Sequence, residues 1–141
     1  MPHTFIVDTN VLVRFFTGEP AEMADKARSL IERADHGKAK LIIFPVIVAE
    51  VFYTLESFYE MERKVVAAKL LAFLQCRGIE NAEGDRMLDA LKRCQDRNVH
   101  FADAYLAAAA AETKHAIASF DRDFDKFKDV RRVEPRGETA H

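Results

Sequence analysis

The sequence predicts an α/β fold in which a mainly parallel sheet carries helices on both faces. Short β-branched and aromatic runs alternate with segments of helical period along the whole chain, the pattern of strand–helix–strand units. Two of those runs, Thr4–Val7 and Ala116–Phe120, each stop abruptly at an aspartate, Asp8 and Asp121. That puts carboxylates at the sheet edge where open parallel sheets bind their ligands. No internal repeat, low-complexity tract or linker interrupts the pattern, so residues 1–141 read as one domain with a loose tail over the last seven or so.

Thr4–Val7 reads as a buried strand, and after the polar turn Asp8-Thr9-Asn10 a helical segment runs from Val11 to Phe16. Gly18 and Pro20 break it. Ala21–Ala34 follows as an amphipathic helix whose inner face would hold Met23, Ala27, Leu30, Ile31 and Ala34. Lys40–Phe44 is a second buried strand, and Pro45 opens a helix from about Val46 to Met61, a place where proline is tolerated. Arg63–Gln75 is helical with Val66, Leu70, Phe73 and Leu74 inward, and Gly78–Asn81 is a short third strand. Asp85–Arg97 would bury Met87, Leu88, Leu91 and Cys94. The alanine-rich Phe101–Thr113 is a helix by propensity, Ala116–Phe120 a fourth strand, and Val130–Val133 an edge strand.

Composition excludes several classes. Hydrophobic residues are 49% and charged residues 31% of the chain, values of an ordinary globular protein. The longest apolar run, Ala104–Ala111, is too short to span a bilayer, so the expected location is cytoplasmic. Cys76 and Cys94 form no CxxC pair, which argues against zinc or thiol redox chemistry. The net charge of −2 rules out a simple basic nucleic-acid binder. Phosphates would have to be met by local cations or a bound metal.

Four acids break local rules. Asp8 and Asp121 follow strands, though each has a plain alternative as a helix cap or turn residue. Glu50 has Val46, Ile47, Tyr53 and Thr54 as helical neighbours, where an ionised carboxylate is costly unless paired, protonated or metal-bound. A buried ion pair is its alternative. Asp103 is the one charged residue between Phe101 and Ala111, at a helix start where an acid also suits the macrodipole. Four such carboxylates converging on one edge would repel without a cation, and an all-oxygen set suits Mg²⁺ or Mn²⁺. None of His3, His36, His100, His115 and His141 has metal spacing; His100, near Asp103, is the one to watch.

The blocks IVDTNVLVRFF, VAEVFYTL, FADAYLAAAA and SFDRDF, in this order from about residue 5 to 134, resemble the PIN-domain family and, within it, the toxins of VapBC-type toxin–antitoxin pairs. The resemblance implies a three-layer α/β/α sandwich and a metal-dependent endoribonuclease. Asp8, Glu50, Asp103 and Asp121 match the family's acidic positions, with Asp123 an added ligand or neighbour of one. Asp8, Asp103 and Asp121 would hold Mg²⁺ or Mn²⁺, and Glu50 would complete the set or position the attacking water. Thr9 and Asn10 would orient Asp8 or bound water, and Ser119 matches the small hydroxyl residue two positions before the fourth acid. The implied partners are an RNA substrate, a cognate antitoxin protein and a second copy of the chain.

Arg14, one turn beyond Asn10, is the cation expected near substrate or partner, with a solvated surface arginine as its plain reading. Lys38, Lys40, Arg63, Lys64, Arg93 and Arg97 are candidates for a phosphate-binding rim. Tyr53, Phe58 and Tyr59 read as core, with base stacking as the other use of such rings. Two other functions fit less well. A housekeeping PIN-domain nuclease would share the site but need no antitoxin. The other alternative is a non-catalytic metal-binding receiver or RNA-binding module, of which a receiver would need a phosphoacceptor aspartate after its third strand and a later lysine, a pair that the sequence does not supply.

Overall fold

A computed structural model describes residues 3–136, so the expected tail lies largely outside the described residues. Strand β1 (His3–Ile6) leads into helix α1 (Thr9–Thr17), then α2 (Ala21–Asp35), β2 (Ala39–Ile43) and α3 (Pro45–Tyr53). Helix α4 (Arg63–Leu74), β3 (Ile79–Asn81), α5 (Asp85–Arg97), α6 (Phe101–Thr113), β4 (Ile117–Ala118) and β5 (Arg132–Val133) complete the order. All strand pairings among the described residues are parallel, β1 with β2 and β2 with β3, and separately β4 with β5. The architecture is the α/β/α sandwich that the alternation of strands and helices foretold.

β2 carries the clearest signature of the sheet. Ala39, Leu41 and Ile43 are buried while Lys40 is exposed, the period of two that a strand imposes. Leu41 and Ile43 join Leu12, Phe52, Leu55, Leu70, Met87 and Leu91 in a core of residues under 2% exposed. Val66, Leu70, Phe73 and Leu74 are inward as their spacing required, and so are Met87, Leu91 and Cys94. Burial pushes the Cys94 thiol up to about 12. That leaves it an inert packing group, while Cys76 is an exposed free thiol.

Four expectations need correction. The first strand is not buried: His3 to Ile6 are all exposed, Ile6 by 69%, and burial begins only at Val7. β1 is the edge of its sheet, paired on one side, so its outer flank and much of its surface stay open. The Ala116–Phe120 run gives two strand residues instead of five, and they pair with β5 in a second, two-stranded sheet. The helix expected over 46–61 ends at Tyr53 and widens into a π turn over Thr54–Phe58, where the Tyr59 N–H reaches back to the Thr54 carbonyl at 3.2 Å. Finally, Met23 is 55% exposed, and Ala24 is buried on that helix instead.

Gly78 shows why a glycine must precede β3. Its φ is +81°, and a Cβ there would collide with the backbone carbonyl of Ala34, at the end of α2. The close crossing sets the level at which β3 meets β2, and the Leu41 N–H bonds the Gly78 carbonyl at 2.7 Å.

Candidate functional site

Three acids meet at one point. Carboxylate oxygens of Asp103, Asp121 and Asp123 all lie within 4.8 Å of one another. Each is placed by a different local rule. Asp103 stands half-buried in the first turn of α6, the one charged residue of an otherwise alanine-rich, largely apolar sequence from Phe101 to Ala111. Asp121 follows β4, and its Oδ1 accepts the Asp123 N–H at 2.8 Å, folding the chain into a short 3₁₀ turn over Arg122–Lys126. Ser119 holds the approach, its Oγ accepting the Asp121 N–H at 2.9 Å. The turn is pinned below by Phe124 and Phe127, 3% and 5% exposed.

The electrostatics of this cluster are unfavourable as they stand. Burial, and then the negative charges of Asp121 and Asp123, hold the Asp103 carboxyl above its ordinary range, while His100 and Arg63 pull it the other way. Among the described residues, Asp123 alone of the three has an ion pair, with Lys126 Nζ at 3.5 Å. The donor set is all carboxylate, with no sulfur or imidazole among its members. Hard oxygen donors carrying excess negative charge suit Mg²⁺ or Mn²⁺, and the residues present therefore fit such an ion.

The other two predicted acids lie outside that cluster. Asp8 is exposed at the N-cap position of α1, yet its side chain makes no capping bond, so the plain cap role assigned to such a residue goes unused. Glu50 is also exposed, which removes the buried-charge reasoning attached to it. The three- and four-residue spacing identified apolar neighbours correctly but not the direction of the helix's open face. Its Oε2 accepts the Thr9 hydroxyl at 2.7 Å, so Thr9 is bonded to Glu50. Asn10 and Arg14 line a different cavity, between α1 and α2, with Met23 and Leu30. There the Arg14 Nε is buried without a partner, and Nη1 reaches the Glu19 carbonyl at 3.4 Å.

The acids and α3 face each other across a cavity of about 450 Å³. Asp103 and Asp121 form one side, Ala49 and Tyr53 of α3 another, and Phe52 and Phe101 stack at 5.3 Å in its wall. Glu56 and His100 close it. Contrary to the core reading, Tyr53 is 70% exposed and Phe58 78%, whereas Tyr59 is half-buried. Arg63, one of the candidate rim cations, is engaged: Nε bonds Glu56 at 2.7 Å, Nη1 the Asn98 carbonyl at 2.9 Å, and Nη2 approaches His100 Nδ1 at 3.2 Å. Sequence patterning could not join Arg63 to His100, because 37 residues separate them. Arg93 is likewise committed, to Asp89 and Asp129.

Comparison with known proteins bears on this arrangement. No curated protein matches the sequence. Among solved structures, a chain of the crystal structure of VapBC2 from Rickettsia felis bound to a DNA fragment from their promoter is similar over 94% of this chain and 99% of that one, at 13% identity and a TM-score of 0.37. Residues 5–130 match the PIN domain family, whose members are in general nucleases that use divalent metals. The matched stretch takes in the three-acid cluster, Asp8, Glu50 and every helix and strand between them. By that match over most of its length, the chain belongs to the PIN domain family.

Proposed function

We propose that this protein is a divalent-metal-dependent endoribonuclease, the toxin of a toxin–antitoxin pair, acting in the cytoplasm as a homodimer restrained by a cognate antitoxin protein. The observation that carries the nuclease reading is the convergence of Asp103, Asp121 and Asp123 in a PIN domain, where among the described residues Lys126 on Asp123 is the one ion pair made by the three. The toxin reading comes from the four sequence blocks and their spacing.

Asp103, Asp121 and Asp123 would hold Mg²⁺ or Mn²⁺, with Asp8 contributing from the end of β1. The ion supplies positive charge to the phosphoryl oxygens and lowers the cost of ionising water. The chain's own residues do the rest. Ser119 fixes the backbone at Asp121 and so the direction of its carboxylate. The Thr9 hydroxyl occupies one oxygen of Glu50, and the other orients the attacking water and receives its proton. The water oxygen bonds to phosphorus as the bond to the 3′ oxygen breaks. That oxygen takes up a proton, leaving a 5′-phosphate and a 3′-hydroxyl. Protein partners have apolar surface to meet. Val46 and Leu106 are 62% and 48% exposed and line a cavity adjoining the acidic one, while Ile6 and Phe120 are about 70% exposed nearby in sequence to Asp8 and Asp121.

The test compares the purified protein with Asp103→Asn on total RNA, with Mg²⁺ or Mn²⁺ and with EDTA. The expected result is discrete cleavage that requires both the metal and Asp103. Equal cleavage by the variant would remove Asp103 from the site, and a metal-binding chain that cleaves no RNA would sink the nuclease reading. Co-expression with the neighbouring reading frame tests the antitoxin; growth and activity unaffected by it would count against the toxin role.

A further inference from the structure

We propose that the cavity between α3 and α6 seats one RNA base beside the cleaved phosphate, with Tyr53 as its stacking face and His100 as a fixed hydrogen-bond donor. This rests on the ribonuclease reading and adds to it a determinant of where the RNA is held. At about 450 Å³ the cavity falls within the range of roughly 300–1,000 Å³ typical of ligand clefts. Its walls differ in chemistry. Asp103 and Asp121 mark the phosphate end, whereas Ala49 and Ala102 are small and the half-buried Phe101, backed by the buried Phe52 stacked on it, gives an apolar surface. Tyr53 stands at the rim, 70% exposed, an aromatic ring that the core does not use. An unstacked base presents the matching surfaces: two π faces for the ring and polar edges for a donor.

His100 supplies the donor, and Arg63 sets which nitrogen it is. A guanidinium has only N–H groups to offer, so at 3.2 Å from Arg63 Nη2 the His100 Nδ1 must accept. The neutral ring then carries its proton on Nε2. Arg63 is itself held by Glu56 and by the Asn98 carbonyl, with side chains of Arg63 and Glu56 only 21% and 23% exposed. Glu56, Arg63 and His100 are thus a chain of positioning contacts that ends in one N–H on the cavity wall. Stacking on Tyr53 holds any base, and the His100 donor favours an edge with an acceptor at that point.

The experiment measures kcat and KM for cleavage of a short single-stranded RNA by the full chain in Mn²⁺. The variants are Tyr53→Ala, Tyr53→Phe, His100→Asn and His100→Gln, each checked by its melting temperature. Loss of one stacked base weakens binding by roughly 5- to 150-fold. Tyr53→Ala should therefore raise KM in that range with kcat nearly unchanged, and Tyr53→Phe should behave as the parent protein. Asparagine can accept from Arg63 at the Nδ1 position but offers no donor at the distal one; glutamine does the reverse. His100→Asn should raise KM about five-fold, the loss of one neutral hydrogen bond, and His100→Gln should recover most of it. The opposite order, asparagine restoring and glutamine failing, would reduce His100 to an anchor for Arg63 and overturn its role. Unchanged KM in Tyr53→Ala, with the parent cutting normally, would overturn the base seat while leaving the nuclease reading intact. Failure of the parent protein to cut any RNA would remove both.

Discussion

Arg93 is the test of what holds the acidic turn in place. Its side chain is 13% exposed, bonds Asp129 through Nη1 and Nη2 at 2.8 and 2.6 Å, bonds Asp89 at 2.9 Å, and lies 5.4 Å from the centroid of the Phe127 ring. Replacing it with methionine keeps the apolar stem but removes two charge pairs and the cation–π contact. Asp129 and Asp89 are 57% and 42% exposed and can turn to water, so the penalty of a stranded buried charge does not apply in full. Two half-exposed pairs at up to about 1 kcal/mol each and a cation–π term of about 0.5–1 kcal/mol bring the loss to roughly 2 kcal/mol. With an unfolding entropy near 2.1 cal/mol/K per residue, that lowers Tm by about 7 °C in this chain. The pH dependence has a definite sign. Arg93 holds the Asp129 carboxyl below its ordinary range, so the stabilisation is present above the unfolded value near pH 4 and disappears as the pH falls through the folded one. Thermal melts of parent and Arg93→Met between pH 7 and pH 3 should draw together at the acid end, leaving only the cation–π share of about 0.5–1 kcal/mol. A gap under about 0.5 kcal/mol at pH 7, or one that does not narrow on acidification, would refute the assignment.

Other outcomes follow from the same geometry. In chelator, Asp103→Asn should melt above the parent protein, because it removes a half-buried charge that Asp121 and Asp123 repel; added Mn²⁺ should raise Tm for the parent only. Gly78→Ala should cost several kcal/mol by chemical denaturation, since a left-handed residue with a Cβ costs about 1–2 kcal/mol before the collision with Ala34 is counted. Ser119→Ala should lose about 1 kcal/mol, the worth of its bond to the Asp121 N–H. By calorimetry it should also weaken Mn²⁺ binding, and an unchanged affinity would show that Ser119 does not direct Asp121.

What could be read from the sequence was what periodicity and end signals carry. α5 and α6 match their predicted bounds to the residue, because a strong apolar stripe in one and an alanine run in the other leave a helix no competitor. β2 is plain too, though it lies one residue earlier than expected, at Ala39–Ile43. β1 and β4 were misjudged for a shared reason: a β-branched run says that a segment is extended, not how many partners it has. Thr4–Val7 reads the same whether the strand is central or, as here, at an edge, and only pairing decides its burial. The carboxylates show a similar limit. Asp121 can be nominated from a strand end, Asp103 from an isolated charge and Asp123 only from the family resemblance, but their meeting depends on the fold of a turn that no spacing rule describes. Aromatic residues usually enter the core, which is why the sequence reads Tyr53 as core; the helix turns that ring outward, 70% exposed, just before the π turn.

The acidic turn also shows how a site of like charges is kept from pushing itself apart. β4 and β5 have two residues each, too few for a ladder to fix the segment between them. The work passes to side chains that surround the turn without entering the cluster. Phe124 and Phe127 are buried beneath it, Arg93 clasps Asp129 on one side, and on the other Arg132 clasps Asp125 at 3.0 Å and the Ser119 carbonyl at 3.0 Å. Both arginines face carboxylates that stand two or more residues away from Asp121 and Asp123. Their charge is therefore spent on acids that do not line the cluster, and among the described residues Asp121 and Asp103 have no ion pair. A cation of the protein's own placed among the three would stabilise the fold more and close the site to a divalent ion. Holding the turn from outside keeps the repulsion that the proposed ion would relieve, and its affinity would come from that same repulsion.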